Sequence, residues 1–200
     1  MASADWDFNL VTWSLNGSQY VSIPTALKLW EAGDSSRYVM ALRNTPDCLA
    51  VDQGRLVTWL RTQNHIYGQP MLVFRAQVGD LTAWWRDSYS VLQYGDKAYL
   101  RFFTAGGVET NIGTWSFSFP VNTWKKIRLT WWNGKDGSGI PATVFRLEYW
   151  DGAAWVKGGA DLYDTNERNK GSSVNRVGVC NYGALGSPVW FDDTEIWRAT

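Results

Sequence analysis

Asn122-Thr123-Trp124-Lys125-Lys126-Ile127-Arg128-Leu129-Thr130-Trp131 carries the pattern on which the fold turns. Trp124 opens an apolar set, and from residue 126 onward Ile127, Leu129 and Trp131 alternate with Lys126, Arg128 and Thr130. A period of two puts one set against a core and the other towards solvent, which is a strand lying over a buried face. The same alternation extends along the chain in both directions. Phe145, Leu147 and Tyr149 alternate with Arg146, Glu148 and Trp150. Leu56, Thr58 and Leu60 alternate with Arg55, Val57, Trp59 and Arg61, and Tyr38, Met40 and Leu42 with Arg37, Val39, Ala41 and Arg43. Further strands are expected over 6–13, 70–77, 97–104, 108–119, 174–181 and 188–197. Turn signals stand between them, among them Asn16-Gly17, Asp52-Gln53-Gly54, Gly95-Asp96, Gly106-Gly107, Asn133 to Gly139 and Asp151-Gly152. Only Pro24 to Ala32 looks helical, with proline in the first turn and Gly33 past the end. Ten or more short strands with little helix predict an all-β fold, a sandwich or a barrel, in one domain over 1–200.

Composition narrows the function classes. Lys plus Arg and Asp plus Glu are 19 each, so the formal charge is zero. Bulk attraction to phosphate needs a positive excess, so neither nucleic acid nor a membrane surface is the expected partner. No run approaches the ~18 apolar residues that span a bilayer, and no membrane insertion is expected. The anomaly is aromatic: 14 Trp, 9 Tyr and 8 Phe make up 16% of the chain. The start, Met1-Ala2-Ser3-Ala4-Asp5-Trp6, has neither the basic nor the apolar region of a signal peptide. Residues 1–3 read either as a cloning scar or as a natural start. Cys48 and Cys180 are the two cysteines, and a domain of this size does not need them bridged. His65 is the one histidine, so a zinc or haem site of ordinary type is not expected.

The segment 122–129 resembles the W-x-x-I/V-R-L/V strand of concanavalin A-like lectin/glucanase domains, the laminin-G-like group included. Val144 to Tyr149 and the hairpin Asp151-Gly152-Ala153-Ala154-Trp155-Val156 are similar to the strand and hairpin that come next in the superfamily. Asn175-Arg176-Val177-Gly178-Val179 and Val189-Trp190-Phe191-Asp192-Asp193-Thr194-Glu195-Ile196-Trp197 resemble its closing strands, with their paired aspartates. The likeness covers about 122–198 and implies a two-sheet antiparallel jelly roll whose concave sheet often binds glycans. It also implies that Asp192-Asp193 ties strand and loop amides together.

Candidate site residues come from the outward strand positions. Trp59 stands between Arg55 and Arg61, and Trp150 is in phase with Arg146 and Glu148. In Trp84-Trp85-Arg86 adjacent side chains must point to opposite faces, so one ring is expected to be exposed. Flat rings stack on sugar faces and guanidinium forks hold hydroxyls or carboxylates. Many arginines fall at outward positions, Arg75, Arg101 and Arg128 among them; a solvated face explains this, and an anionic glycan is the sharper alternative. Asp161, Asp164 and Asn166 offer hard oxygens, so a structural calcium ion is a candidate there; no other cofactor is expected. The Glu-x-Asp-x-Glu string of the superfamily's glucanases is absent. Glu148 is left as a lone acid, and the arginine and tyrosine motifs of jelly-roll alginate lyases are missing too, although Arg61, Gln63 and His65 lie close together.

The expected function is therefore non-catalytic, lectin-like recognition of a polysaccharide or cell-surface glycan, outside the cell or on a virion surface. A structural or adhesive virion protein, as in capsid decoration or tail fibres, is the alternative; it would be a homo-oligomer or bound to a particle. A polysaccharide lyase or glycoside hydrolase comes third.

Overall fold

The computed structural model describes residues 51–64, 68–77, 87–117, 121–171, 176–182 and 187–198, together with the backbone of four earlier strands. Those four are β1 (Trp6–Asn9), β2 (Trp13–Asn16), β3 (Ala26–Leu29) and β4 (Val39–Arg43). Then come β5 (Gly54–Thr62), β6 (Pro70–Ala76), β7 (Ser88–Tyr94), β8 (Lys97–Phe103), β9 (Glu109–Trp115) and β10 (Lys125–Lys135). The chain closes with β11 (Pro141–Trp150), β12 (Trp155–Lys157), β13 (Leu162–Asp164), β14 (Arg176–Asn181) and β15 (Val189–Arg198).

They form two antiparallel sheets, one ordered β1-β4-β14-β6-β7-β8-β9 and the other β12-β11-β10-β5-β15-β3-β2, with β13 also paired to β11. Of the sandwich and the barrel that the alternation left open, this is the sandwich, with the two sheets that the resemblance implied. The described residues contain no helix. The helical look of Pro24 to Ala32 gives way to β3, which pairs with β2 on one side and β15 on the other. Two hydrogen-bonded neighbours outweigh the local propensity of a short segment.

The core lies between the sheets. Leu56, Leu60, Ile127, Leu129, Trp131, Phe145 and Leu147 come from one side and Leu72, Phe74, Tyr89, Val91, Leu100 and Phe102 from the other. Phe74 stands at the centre, with its ring 4.9 Å from Trp131, 5.5 Å from Tyr89 and 5.8 Å from Phe145. Interlocked rings at tilted and edge-on angles add to area burial and fix the spacing of the sheets.

Arg75 corrects one expectation. Alternation places it outward, but β6 carries a bulge against β14, where Gly178 faces Val73 and Arg176 faces Ala76. Arg75 sits in that bulge with φ of 47° and is fully buried. Its Nε donates to the Asp52 carbonyl at 2.7 Å, Nη1 to Thr143 Oγ1 at 2.8 Å and Nη2 to Asn133 Oδ1 at 2.8 Å. Asp52 Oδ1 completes the pairing at 3.3 Å. The guanidinium thus joins β6 of one sheet to β10 and β11 of the other. Burial lowers its pKa, and the facing Asp52 opposes that shift. Cys180 is a buried free thiol whose pKa burial pushes up; Cys48 lies outside the described residues.

Candidate functional site

The two outer faces differ. On the seven-stranded sheet, the side chains pointing away from the core include Met71, Val73, Ser90, Leu92, Phe103 and Cys180, and none is more than 3% exposed. The eight-stranded sheet instead presents cations and indoles in cross-strand rows. One row reads Arg146, Thr130, Arg55, Trp197 across β11, β10, β5 and β15. The next reads Glu148, Arg128, Val57, Glu195.

Trp197 owes its place in the first row to an irregularity. Val189 and Phe191 point into the core, so strict alternation would also turn residue 197 inward. Between Asp192, which faces Trp59, and Glu195, which faces Val57, β15 carries one residue more than β5. Asp193 absorbs it with φ of 45°, and its N–H donates to Asp192 Oδ1 at 2.9 Å. Thr58 Oγ1 lies 3.1 Å from the Asp192 carbonyl and 2.8 Å from Thr194 Oγ1, clasping the bulge from β5. A bulge of this kind shifts the side-chain phase by one residue. Ile196 therefore packs on the core, and Trp197 faces out, 52% exposed. Of the paired aspartates, Asp192 accepts from the amide of its neighbour, one of the strand amides the resemblance implied.

A cavity of about 510 Å³ opens on this face, a size typical of sites for small ligands or sugar units. Arg55, Arg128, Arg146 and Arg198 line it, with Trp132, Trp197, Thr130 and Glu148. Gly54 and Trp131 form part of the lining where β5 meets β15 and β10. A Cβ on Gly54 would stand 2.5 Å from the Trp197 carbonyl oxygen, so only glycine lets β15 approach there.

The cations are held over the rings. Arg55 lies 5.2 Å from the Trp197 ring centre, Arg146 lies 5.2 Å from Trp132, and Arg128 lies 4.3 Å from Trp155. Arg128 Nε also donates to Glu148 Oε2 at 2.7 Å. Arg146 donates to both oxygens of Asp161, at 2.9 and 2.7 Å. That fork holds the Asp161 carboxyl below the usual carboxylate range and raises the guanidinium's own pKa. Arg55 Nε is buried with no hydrogen-bond partner among the described residues.

The expected site residues separate into groups. Arg55 and Glu148 line the cavity. Trp59 and Arg61 share its face farther along β5: Trp59 lies under Lys126 at 5.8 Å, and Arg61 over Trp190 at 5.0 Å. Arg55 and Arg61 stand six residues apart, about 20 Å along the strand, so no single sugar touches both. Trp150 packs edge-on against Trp155 at 5.6 Å, on a hairpin capped by Asp151, whose Oδ1 accepts from Ala153 and Ala154. Those two N–H groups lower the Asp151 pKa. Trp84, Trp85 and His65 lie outside the described residues. Trp132 was legible, since extending the alternation of Lys126, Arg128 and Thr130 by one step reaches it. Trp197 was not, because the bulge has to be known first.

Asp161, Asp164 and Asn166, the expected calcium ligands, are each engaged within the chain. Asp161 is held by Arg146, which lines the cavity. Asp164 belongs to the interior, where it accepts from the Tyr89 hydroxyl at 2.6 Å, Arg168 at 2.8 Å and the Asn166 N–H at 3.0 Å. Among the described residues, no three His, Cys, Asp or Glu side chains come together to hold a metal.

No family model matches the chain, and no curated protein matches it in sequence. Solved structures do match in fold. The carbohydrate-binding module CBM66 from Bacillus subtilis superposes with a TM-score of 0.61 at 14% identity, over 97% of this chain and 96% of that one. The exoplasmic/lumenal domain of VIP36, in its form bound to calcium and Man3GlcNAc, gives 0.59 at 10% identity, over 98% and 84%. The binding domain of botulinum neurotoxin serotype C1 gives 0.55 at 10% identity, over 98% of this chain and 44% of that one. The fold is a two-sheet antiparallel jelly-roll sandwich, shared with these structures.

Proposed function

We propose that this chain is a non-catalytic carbohydrate-recognition domain that binds a polysaccharide or glycoconjugate on the outer face of the eight-stranded sheet. The observation that carries this is the half-exposed Trp197 ring at a cavity that also holds Trp132 and four arginines. Indoles offer flat apolar faces for the C–H side of a sugar ring, and forked donors meet its hydroxyls. The part-exposed Trp59 farther along the same face suits a chain of sugars rather than one. The similar sandwich folds of a carbohydrate-binding module and a mannose-bound lectin domain support the same reading.

The arrangement of carboxylates favours binding over hydrolysis. Glu148 is engaged by Arg128, and Glu195 stands in the same row three strands away. Three strand spacings are about 14 Å, beyond the ~5–9.5 Å that glycosidase carboxylate pairs require.

Affinity electrophoresis against a panel of soluble polysaccharides tests the proposal. At least one polymer is expected to retard the protein, and Trp197→Ala or Trp132→Ala to weaken that binding by about tenfold or more. Retardation unchanged in both variants would overturn the assignment of the site.

A further inference from the structure

We propose that the sugar taken in this cavity is acidic, and that Arg55, with Arg198 beside it, binds its carboxylate. This rests on the carbohydrate reading above and specifies its ligand. Four guanidiniums line the cavity, but only two are matched: Arg128 by Glu148 and Arg146 by Asp161. Among the described residues, Arg55 and Arg198 have no ion pair. The partner the structure gives Arg55 is the Trp197 ring, and its Nε, buried, meets no acceptor. The other carboxylate on this face, Glu195, accepts from the Trp197 indole at 3.2 Å.

The chain as a whole is neutral, so this positive excess is local rather than a consequence of composition. A charge at a partly dehydrated wall costs free energy unless an anion meets it. A neutral sugar would leave that charge unmatched. A carboxylate meets it with two parallel hydrogen bonds, the geometry for which the planar fork is built, while the indole beneath fixes the plane of the guanidinium. Trp197 then serves both purposes, stacking on the sugar and orienting Arg55. The cavity is thereby matched to a uronic or similar carboxylated sugar within a polymer.

The test uses matched polymers: polygalacturonate, alginate and hyaluronan, each beside its carboxyl-reduced form, titrated calorimetrically at low and high salt. At least one acidic polymer is expected to bind, more weakly as salt rises. Carboxyl reduction is expected to weaken that binding about ten- to hundredfold. Arg55→Gln, checked for an unchanged thermal midpoint, should bring the ratio of affinities for the acidic and reduced forms to about one. Equal binding of acidic and reduced forms would overturn the proposal, as would an Arg55→Gln variant that keeps full preference for the acidic form. Binding of neutral polymers alone, lost in Trp197→Ala, would overturn the acidic ligand and leave the carbohydrate reading standing. Silence from every polymer, acidic and reduced, would overturn both.

Discussion

Replacing Arg75 by Met is expected to lower stability by about 3–5 kcal/mol, among the largest effects of any single substitution in this chain. The side chain is fully buried and links the sheets through Asp52, Thr143 and Asn133. Methionine fills much of the same volume but satisfies none of these acceptors, and it leaves the Asp52 carboxylate with only its bonds from Asn133 and Gly171. The cost comes from groups left unpaired in a medium of low polarity, not from lost packing. Lys170→Met is the control. Lys170 pairs with Glu167 at 2.6 Å, but on the surface, where Lys170 is 40% exposed. An exposed pair contributes about 1 kcal/mol or less. Urea unfolding of both variants, with slopes compared, would show the contrast; similar midpoints would mean that the Arg75 network does not join the sheets.

Inserting a glycine between Thr194 and Glu195 is expected to do damage of a second kind. With one more residue beyond the bulge, the residues after it must exchange faces or lose their register with β5. Exchange would push Glu195 towards the core and turn Trp197 away from the cavity, where Ile196 would replace it. A carboxylate forced inward costs several kcal/mol, so a drop of about 3 kcal/mol or more is expected, with polysaccharide binding lost altogether. Asp193→Gly is the informative partner. Glycine accepts the positive φ of 45° at least as readily, so the bulge, the stability and the binding should all be kept. Thermal unfolding and acrylamide quenching of Trp197 read both outcomes. An insertion variant that kept its stability and its exposed indole would show that the register with β5 does not set the phase of β15.

These two bulges also mark where the sequence stops being legible. Alternation in 126–131 and 145–150 correctly placed Ile127, Leu129, Trp131, Phe145 and Leu147 in the core, because a half-buried strand leaves its period in the chain. The same rule put Arg55, Glu148 and Arg146 on the face that bears the cavity. It misplaced Arg75 for the reason it missed Trp197: each lies in or beyond a residue inserted on one strand alone. Such an insertion is visible only against the partner strand, and β14 and β5 are far away in sequence. The short β3 was read as helix because its pairing with β2 and β15, again non-local, supplies what its own residues do not. The cavity itself comes from four strands gathered out of order, β11, β10, β5 and β15. No window of sequence contains it.

Sugar binding at Trp132 and Trp197 is tested most directly by a proton–nitrogen correlation spectrum of the indole N–H groups, recorded while a polysaccharide fragment is titrated in. The chain has 14 tryptophans, and single Trp→Phe changes assign the relevant signals. The ligand is predicted to shift Trp132 and Trp197 saturably. Trp115 should stay still, since its indole is buried and donates to the Ala160 carbonyl at 2.9 Å. Saturable shifts that spare Trp132 and Trp197 and fall on other indoles would place the ligand elsewhere and contradict a site on this face.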